Sequence, residues 1–174
     1  ARAARAALAA APTGTIPAMP DDAEVQPRPG LVVALDGPAS SGKSSVGAAA
    51  AEALGYRFCD TGMLYRAVTW LALRRGIGEA ETERLVRLVD EVELLPDGIG
   101  RLARVAIDGE DVTDAVHSPE VDAAVSSISR VPELRAALLD RQRRIAAEGR
   151  IIMAGRDIGT VVLPDADLKL FLDA

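Results

Sequence analysis

The sequence has few of the residues on which several protein classes depend. Its single cysteine, Cys59, excludes an internal disulfide and a cysteine-based zinc site, which fits a reducing compartment. Asparagine is absent from all 174 residues, which excludes an Asn-X-Ser/Thr glycosylation site. The longest strongly apolar run, residues 31–35, is far too short to cross a bilayer. These absences favour a cytoplasmic protein without a membrane partner.

Lysine is also scarce, because only Lys43 and Lys169 occur among the 20 basic residues. The net charge of −6 argues against a protein that coats nucleic acid. What the chain does have is 49% apolar residues beside 26% charged residues. This composition is typical of a globular fold, and the length suffices for one domain with a sizeable core.

Residues 1–30 differ in composition from the rest of the chain. Alanine and arginine fill most of residues 1–11, and residues 12–30 contain five prolines without a periodic apolar pattern. We interpret this stretch as a leader or linker. The alternative is a signal peptide, but its apolar part would be mostly alanine, and the chain has no initiator Met. The domain proper is predicted to occupy residues 31–174.

From residue 31 the pattern alternates between strand and helix. Apolar runs predict buried parallel strands over residues 31–36, 56–60, 150–154 and 168–173. Helical periodicity predicts helices over residues 43–54, 64–75, 79–90 and 132–148, and another that begins after Ser118. Residues 92–116 alternate with a period of two and predict a small antiparallel insertion. We therefore expect an α/β fold with a parallel sheet covered by helices.

Residues 37–44 match the phosphate-loop pattern G-x-x-x-x-G-K-S between a predicted strand and a predicted helix. The glycines let the backbone N–H groups face phosphate oxygens, and the helix that starts at Lys43 adds its positive end. Lys43 would bind the β- and γ-phosphates of ATP, and Ser44 would complete a magnesium shell. The predicted nucleotide-binding residues are Gly37, Pro38, Ala39, Ser40, Ser41, Gly42, Lys43, Ser44 and Ser45.

A phosphate loop does not by itself select a reaction. GTPases of the Ras type need an Asn-Lys-X-Asp motif, which a chain without asparagine cannot contain, and the Leu-Ser-Gly-Gly signature of transporter ATPases is absent. The short chain and the helix soon after the loop favour a kinase of a small molecule. Asp60-Thr61-Gly62 also occurs in aspartic proteases, but those need all-β surroundings and a helix is predicted here.

Five segments, in order, resemble the bacterial cytidylate kinases, a family of P-loop nucleoside monophosphate kinases. They are LDGPASSGKSS (35–45), DTGMLYRAV (60–68), GEDVT (109–113), VPELRAALLDRQR (131–143) and GRDIGTVVLPDADLKLFLD (155–173). The resemblance covers residues 31–173. It implies transfer of the γ-phosphate of ATP to CMP or dCMP in a monomeric protein, with Mg²⁺ as cofactor.

The resemblance also implies site residues. Lys43, Arg66 and Arg156 would act on the transferring phosphate, and residues 63–147 resemble the mobile monophosphate-binding domain. The acceptor nucleotide would be bound by Asp60, Thr61, Arg66, Ser126, Arg135, Arg156 and Asp157. Asp157 suits the N4 amino donor of cytosine, and Arg135 and Ser126 suit its acceptors. The alternative for Arg156 and Asp157 is a surface ion pair, and Arg135 and Ser126 also have ordinary structural uses.

Two features depart from the family pattern. Ala154 stands where the family has an acidic residue that faces magnesium, so Asp36 is a candidate for part of that role. The family also continues beyond the last predicted strand into an arginine-rich lid, so we expect weak nucleotide binding and low turnover from these 174 residues. The alternatives are another small-molecule P-loop kinase, such as a shikimate or adenylate kinase, and a non-catalytic nucleotide-binding part of a longer chain.

Four other reactive or basic residues have plainer interpretations. Cys59 is predicted to be a small buried hydrophobe, because no catalytic partner is suggested for it. Arg141, Arg143 and Arg144 are predicted to form a solvated helix face.

Overall fold

The structure is a computed structural model that describes residues 30–173. The predicted leader therefore lies almost entirely outside the described residues. The strands are β1 (Val32–Asp36), β2 (Arg57–Asp60), β3 (Val92–Pro96), β4 (Leu102–Ile107), β5 (Glu110–Asp111), β6 (Ile151–Gly155) and β7 (Leu168–Phe171). The helices are α1 (Lys43–Leu54), α2 (Gly62–Arg74), α3 (Thr82–Leu88), α4 (Pro119–Ile128) and α5 (Pro132–Ala147).

Four parallel strands form the main sheet in the order β2-β6-β1-β7. The central strands β1 and β6 are almost entirely buried, which explains their continuous apolar sequences. Asp36 is in register with Gly155, and Asp60 is in register with Ala154. The carboxyl ends of β1, β2 and β6 therefore lie at one edge of the sheet. The predicted parallel sheet with covering helices is confirmed.

The outer strand β7 pairs only with β1 within the described part of the chain. Its apolar side chains Leu168, Leu170 and Phe171 are exposed. Just beyond it, the N–H of Leu172 donates a hydrogen bond to the carbonyl of Asp36 at 2.7 Å. The end of this edge strand is thereby bonded to the residue that precedes the phosphate loop.

Close packing of α1 on the sheet depends on a glycine. A Cβ atom at Gly47 would lie 2.5 Å from Cε2 of Phe58 on β2, closer than carbon atoms can approach. Glycines also bound this helix, because Gly42 before it (φ 84°) and Gly55 after it (φ 63°) are both left-handed. The predicted limits of this helix, residues 43–54, are confirmed.

A second, antiparallel sheet contains β3, β4 and β5. It confirms the predicted insertion over residues 92–116, but β5 ends at Asp111 and is shorter than the pattern predicts. The Oδ1 atom of Asp111 accepts hydrogen bonds from the N–H of Thr113 at 3.0 Å and from its hydroxyl at 2.6 Å. This side-chain turn competes with continued strand pairing and ends β5.

The buried side chains of residues 30–173 form three apolar clusters. The largest joins α2, α3, β3, β4, α4 and α5, and its buried members lie between Met63 and Leu138. The other two contain residues of the parallel sheet and its covering elements. A separate mobile domain over residues 63–147 stays a prediction. No helix in residues 30–173 has the length and apolarity needed to cross a membrane.

The predicted solvated face of α5 is wrong for Arg141, which is partly buried, while Arg143 is exposed as predicted. Arg143 donates hydrogen bonds to the carbonyls of Val161 (3.0 Å) and Val162 (2.9 Å), in a π-helical turn over Ile158–Val162 that the sequence did not predict. Arg141 donates to the carbonyl of Val92 at 3.2 Å. Long arginine side chains reach neighbouring backbone while their stems cover apolar surface, so a polar helix face need not face water. Arg144 is exposed, as predicted.

Candidate functional site

The phosphate loop connects β1 to α1 at the carboxyl edge of the sheet. Ser40 (φ 62°) and Gly42 (φ 84°) adopt left-handed conformations, which turn the backbone sharply before the helix. The first hydrogen bond of the helix runs from the N–H of Val46 to the carbonyl of Gly42 at 2.9 Å. The N–H groups of Lys43, Ser44 and Ser45 precede it and have no partner inside the helix. Such a cluster of N–H groups at a helix start binds anions.

Lys43 bends back across its own loop. Its amino group donates hydrogen bonds to the carbonyl of Pro38 and to the Oγ atom of Ser41, the latter at 3.3 Å. Neither partner is a carboxylate. The charge of Lys43 is therefore held over the loop without being neutralised by these contacts.

Ser44 contacts a carboxylate from another strand. Its hydroxyl donates to Oδ2 of Asp60 at 2.5 Å, and Oδ1 of Asp60 accepts from the N–H of Gly62 at 2.9 Å. Strand β6 lies between β1 and β2, and its residue at this level is the buried Ala154. The predicted acceptor residue Asp60 is thus placed beside the predicted magnesium ligand Ser44.

Asp36, at the end of β1, is a second carboxylate next to the loop, and it is buried. Its Oδ1 and Oδ2 atoms accept hydrogen bonds from the N–H groups of Ile158 (2.6 Å) and Gly159 (2.8 Å). These bonds satisfy the start of the π-helical turn, a structural task for a buried charge. Asp60 is therefore better placed than Asp36 to replace an acidic residue at Ala154.

Thr61 and Arg66 follow β2 and differ in their surroundings. Thr61 is buried, and both its hydroxyl and its N–H donate to the carbonyl of Ala154 at 3.0 Å. Arg66 lies on α2 and donates to the carbonyl of Val116 at 3.3 Å and to Oδ1 of Asp122 at 2.6 Å. A phosphate-binding role for either residue stays a prediction.

Arg135 and Asp157 are brought together from α5 and the segment after β6. A guanidinium nitrogen of Arg135 lies 3.1 Å from Oδ2 of Asp157, and another donates to the carbonyl of Ser129 at 3.5 Å. The sequence-based alternative paired Asp157 with Arg156, but the observed partner is Arg135. Arg156 is exposed and forms no ion pair within residues 30–173. Ser126 is exposed on α4, and its carbonyl accepts from the hydroxyl of Ser129 at 3.2 Å.

Two residues near these groups were missed by the sequence analysis. Burial raises the pKa of Tyr65, while the charges of Arg135 and Asp157 act on that pKa in opposite directions. Asp122 pairs with Arg66. Tyr65 precedes Arg66 in the chain, and Asp122 lies one helical turn before Ser126, so helical spacing from predicted site residues was the available signal.

Cys59 lies in β2, beneath this edge of the sheet, and is completely buried. Burial raises the pKa of its thiol to about 12. A thiol in this state is not a nucleophile near neutral pH, which agrees with its predicted role as a small hydrophobe.

The sequence matches the family described as Cytidylate kinase over residues 33–174. This chain belongs to the cytidylate kinase family. The resemblance inferred from the five segments is therefore confirmed, together with the α/β fold that it implied.

Individual relatives agree with this assignment. A protein named cytidylate kinase from Pelotomaculum thermopropionicum is 49% identical over 144 residues, which cover 82% of this chain and 63% of the relative. Another cytidylate kinase, from Symbiobacterium thermophilum, is 50% identical over 148 residues, covering 83% of this chain and 64% of the relative. A bifunctional pantoate ligase/cytidylate kinase from Synechococcus sp. is 48% identical over 146 residues, or 82% of this chain and 27% of the relative.

The chain spans about 63% of the length of the first cytidylate kinase that it matches. The activity and substrates of a whole protein are therefore matters for proposal. The expected cytoplasmic location, monomeric state and low turnover stay predictions from the sequence.

Proposed function

We propose that the protein containing this chain transfers the γ-phosphoryl group of ATP to CMP or dCMP, giving CDP or dCDP. The observation that carries the proposal is the meeting of the phosphate loop with Asp60 at the carboxyl edge of a parallel sheet, in a chain of the cytidylate kinase family. Crevices at this edge are where open α/β sheets bind ligands. The name cytidylate kinase, which the relatives share, supports the choice of acceptor.

On the donor side, the chain supplies positioning and positive charge. The N–H groups at the start of α1 would bind the phosphates of ATP, and Lys43 would exchange its contacts with Pro38 and Ser41 for phosphate oxygens. Phosphoryl transfer needs an in-line alignment of the two reacting groups and neutralisation of charge on the transferring oxygens. Lys43 and the exposed Arg156 are the cations proposed for that task.

On the acceptor side, arginines would bind the nucleotide. A guanidinium matches a phosphate group with two parallel hydrogen bonds, so Arg66 is the proposed ligand of the monophosphate. The carboxylate of Asp157 would accept from the N4 amino group of cytosine, with Arg135 beside it as a donor. Ser126 and Thr61 are retained as proposed contacts.

Magnesium is the proposed cofactor, and the donor atoms fit it. Within the described residues there is no group of three or more His, Cys, Asp or Glu side chains that could hold a metal. Magnesium commonly binds one or two protein oxygens and completes its octahedron with water and substrate phosphates. Ser44 and Asp60 supply two such oxygens side by side. When bound with ATP, the ion neutralises phosphate charge.

A substrate panel tests the proposed reaction. ADP formation by the full-length protein would be measured with CMP, dCMP, UMP, AMP and shikimate as acceptors. We expect the highest kcat/KM with CMP or dCMP. A higher kcat/KM with AMP or shikimate would instead identify another small-molecule kinase.

An asparagine substitution at Asp60 tests the proposed magnesium site. Asp60→Asn removes the charge that faces Ser44 and is expected to weaken binding of Mn²⁺, a magnesium probe, by about 10- to 100-fold in the presence of ATP. Electron paramagnetic resonance of unbound Mn²⁺ measures this without turnover. Asp90→Asn is the matched control, because Asp90 is exposed and is not among the proposed site residues. Unchanged Mn²⁺ affinity in Asp60→Asn would refute the assignment.

Ala154 favours a second candidate function, a nucleotide-binding part without catalytic activity. An alanine cannot contribute to a metal shell, and here it occupies the strand between the phosphate loop and Asp60. If this candidate is correct, Lys43→Ala should leave the biological role of the protein intact.

A further inference from the structure

Arg66, the arginine proposed to bind the acceptor phosphate, forms an ion pair with a carboxylate of this chain. A guanidinium nitrogen of Arg66 lies 2.6 Å from Oδ1 of Asp122, and the side chains are 29% and 56% exposed, respectively. Asp122 was not among the residues predicted from the sequence. It contacts the guanidinium of Arg66, which the proposed function assigns to the monophosphate of the acceptor.

The position of Asp122 on α4 directs it toward the same region as a predicted acceptor contact. Asp122 and Ser126 are four residues apart, so they lie on one face of this helix. Helix α4 packs on α2, which carries Arg66. Arg66 is also anchored to the neutral carbonyl of Val116 at 3.3 Å. Arg66 is thus held by two acceptors, of which only Asp122 is charged.

A carboxylate and a phosphate bind a guanidinium through the same N–H groups. Both are planar or forked arrays of oxygen atoms that accept its N–H groups and neutralise its charge. A phosphate that reaches Arg66 must displace Asp122 from it or share the guanidinium with it. When the two anions share it, their mutual repulsion lowers the affinity.

We propose that Asp122 is an internal competitor of the acceptor phosphate. This inference rests on the proposed function, because it requires that Arg66 binds the acceptor. In the empty site Asp122 occupies Arg66, and a phosphate monoester, with its greater negative charge, displaces it. Asp122 thereby lowers the affinity for the acceptor while the Val116 carbonyl keeps Arg66 in place.

Calorimetric titration of CMP and cytidine into the full-length protein tests the proposal. Asp122→Asn is expected to bind CMP about three- to tenfold more tightly than the wild type, because the competing charge is gone. Binding of cytidine, which lacks the phosphate, is expected to be unchanged. Asp122→Glu keeps the charge and should bind CMP like the wild type. Asp122→Ser is a second neutral variant at this exposed position and should behave like Asp122→Asn.

Glu120→Gln is the control for net charge, since Glu120 is exposed on the same helix but two residues from Asp122, on another face. It should leave CMP affinity unchanged. Weaker or unchanged CMP binding in both neutral variants would overturn the proposal, since it would make Asp122 a support for Arg66 or a bystander. Wild-type protein that binds CMP no more tightly than cytidine would instead count against the proposed acceptor, and with it against the role of Arg66.

Discussion

The proposed donor side and the proposed acceptor side of the site are built differently. In the phosphate loop, the anion-binding N–H groups come from the backbone at the start of α1. The hydrogen-bond partners of Lys43 are uncharged groups of the same loop. On the acceptor side, Arg66 and Arg135 are paired with Asp122 and Asp157. A phosphate bound by Lys43 would therefore displace only neutral partners, whereas one bound by Arg66 or Arg135 would have to displace a carboxylate.

This difference follows from the parts of the fold involved. The phosphate loop starts at the end of the buried strand β1, between neighbours that fix its backbone. The arginines proposed to bind the acceptor lie on helices, where long side chains can reach several nearby partners. A preformed backbone site loses little entropy when it binds, while a site of paired side chains binds only ligands that replace the pair.

The largest effect that separates the two sides is expected from Lys43→Ala. Loss of the cation over the phosphate loop should lower kcat of the full-length protein with ATP and CMP by about 100- to 1000-fold. Steady-state assays of ADP formation measure it. Lys169→Ala is the matched control, because Lys169 is the other lysine of the chain and is exposed on β7. A decrease of less than tenfold in Lys43→Ala would mean that the donor side does not depend on this charge.

The next largest effect is expected on the acceptor side. Arg66→Ala should raise KM for CMP by about 10- to 100-fold and leave KM for ATP nearly unchanged, because a charge-assisted pair with phosphate is lost. The same kinetic assays with each substrate varied in turn measure both constants. Arg130→Ala, at an exposed position between α4 and α5, is the control. An equal rise in both KM values would erase the distinction between the two sides.

Stability at alkaline pH probes the buried sheet beneath the donor side. The pKa of Cys59 is raised from 9.0 in its ordinary state to about 12, so the thiol stabilises the fold fully below pH 9 and loses this contribution as pH rises toward 12. Between about pH 8 and pH 10.5, the wild type should lose about 2 kcal/mol more unfolding free energy than Cys59→Ala. Urea unfolding at both pH values measures the difference. Equal losses would mean that Cys59 is hydrated in the folded protein.

The smallest effect concerns recognition of the base. Asp157→Asn replaces a pure acceptor with an amide that also donates, so the preference for CMP over UMP should fall by about tenfold in kcat/KM. The ratio is measured by competition between the two acceptors. Asp140→Asn, at an exposed position on α5, should keep the ratio. An unchanged ratio in Asp157→Asn would leave its pairing with Arg135 as a structural contact.

Local patterns in the sequence predicted much of the fold. The limits of α1 follow from Gly42 and Gly55, and the parallel strands follow from continuous apolar runs. Contacts between distant residues were not predictable in this way. Arg66 and Asp122 are 56 positions apart, and Asp36 accepts from N–H groups more than 120 positions away. Each contact depends on how helices and turns pack, and no local spacing encodes it.

The bond from Leu172 to the carbonyl of Asp36 links the end of the edge strand to the backbone that enters the phosphate loop. Within the described residues β7 is hydrogen-bonded on one side only, so its amide protons should exchange with solvent sooner than those of β1 and β6. A Cβ atom at Gly37 would lie 2.3 Å from the carbonyl oxygen of Leu172, so this segment packs closely against the loop. Opening of β7 would therefore break a hydrogen bond to the residue that precedes the phosphate loop. We expect the amide of Leu172 to exchange together with those of β7, which hydrogen exchange of the loop region can measure.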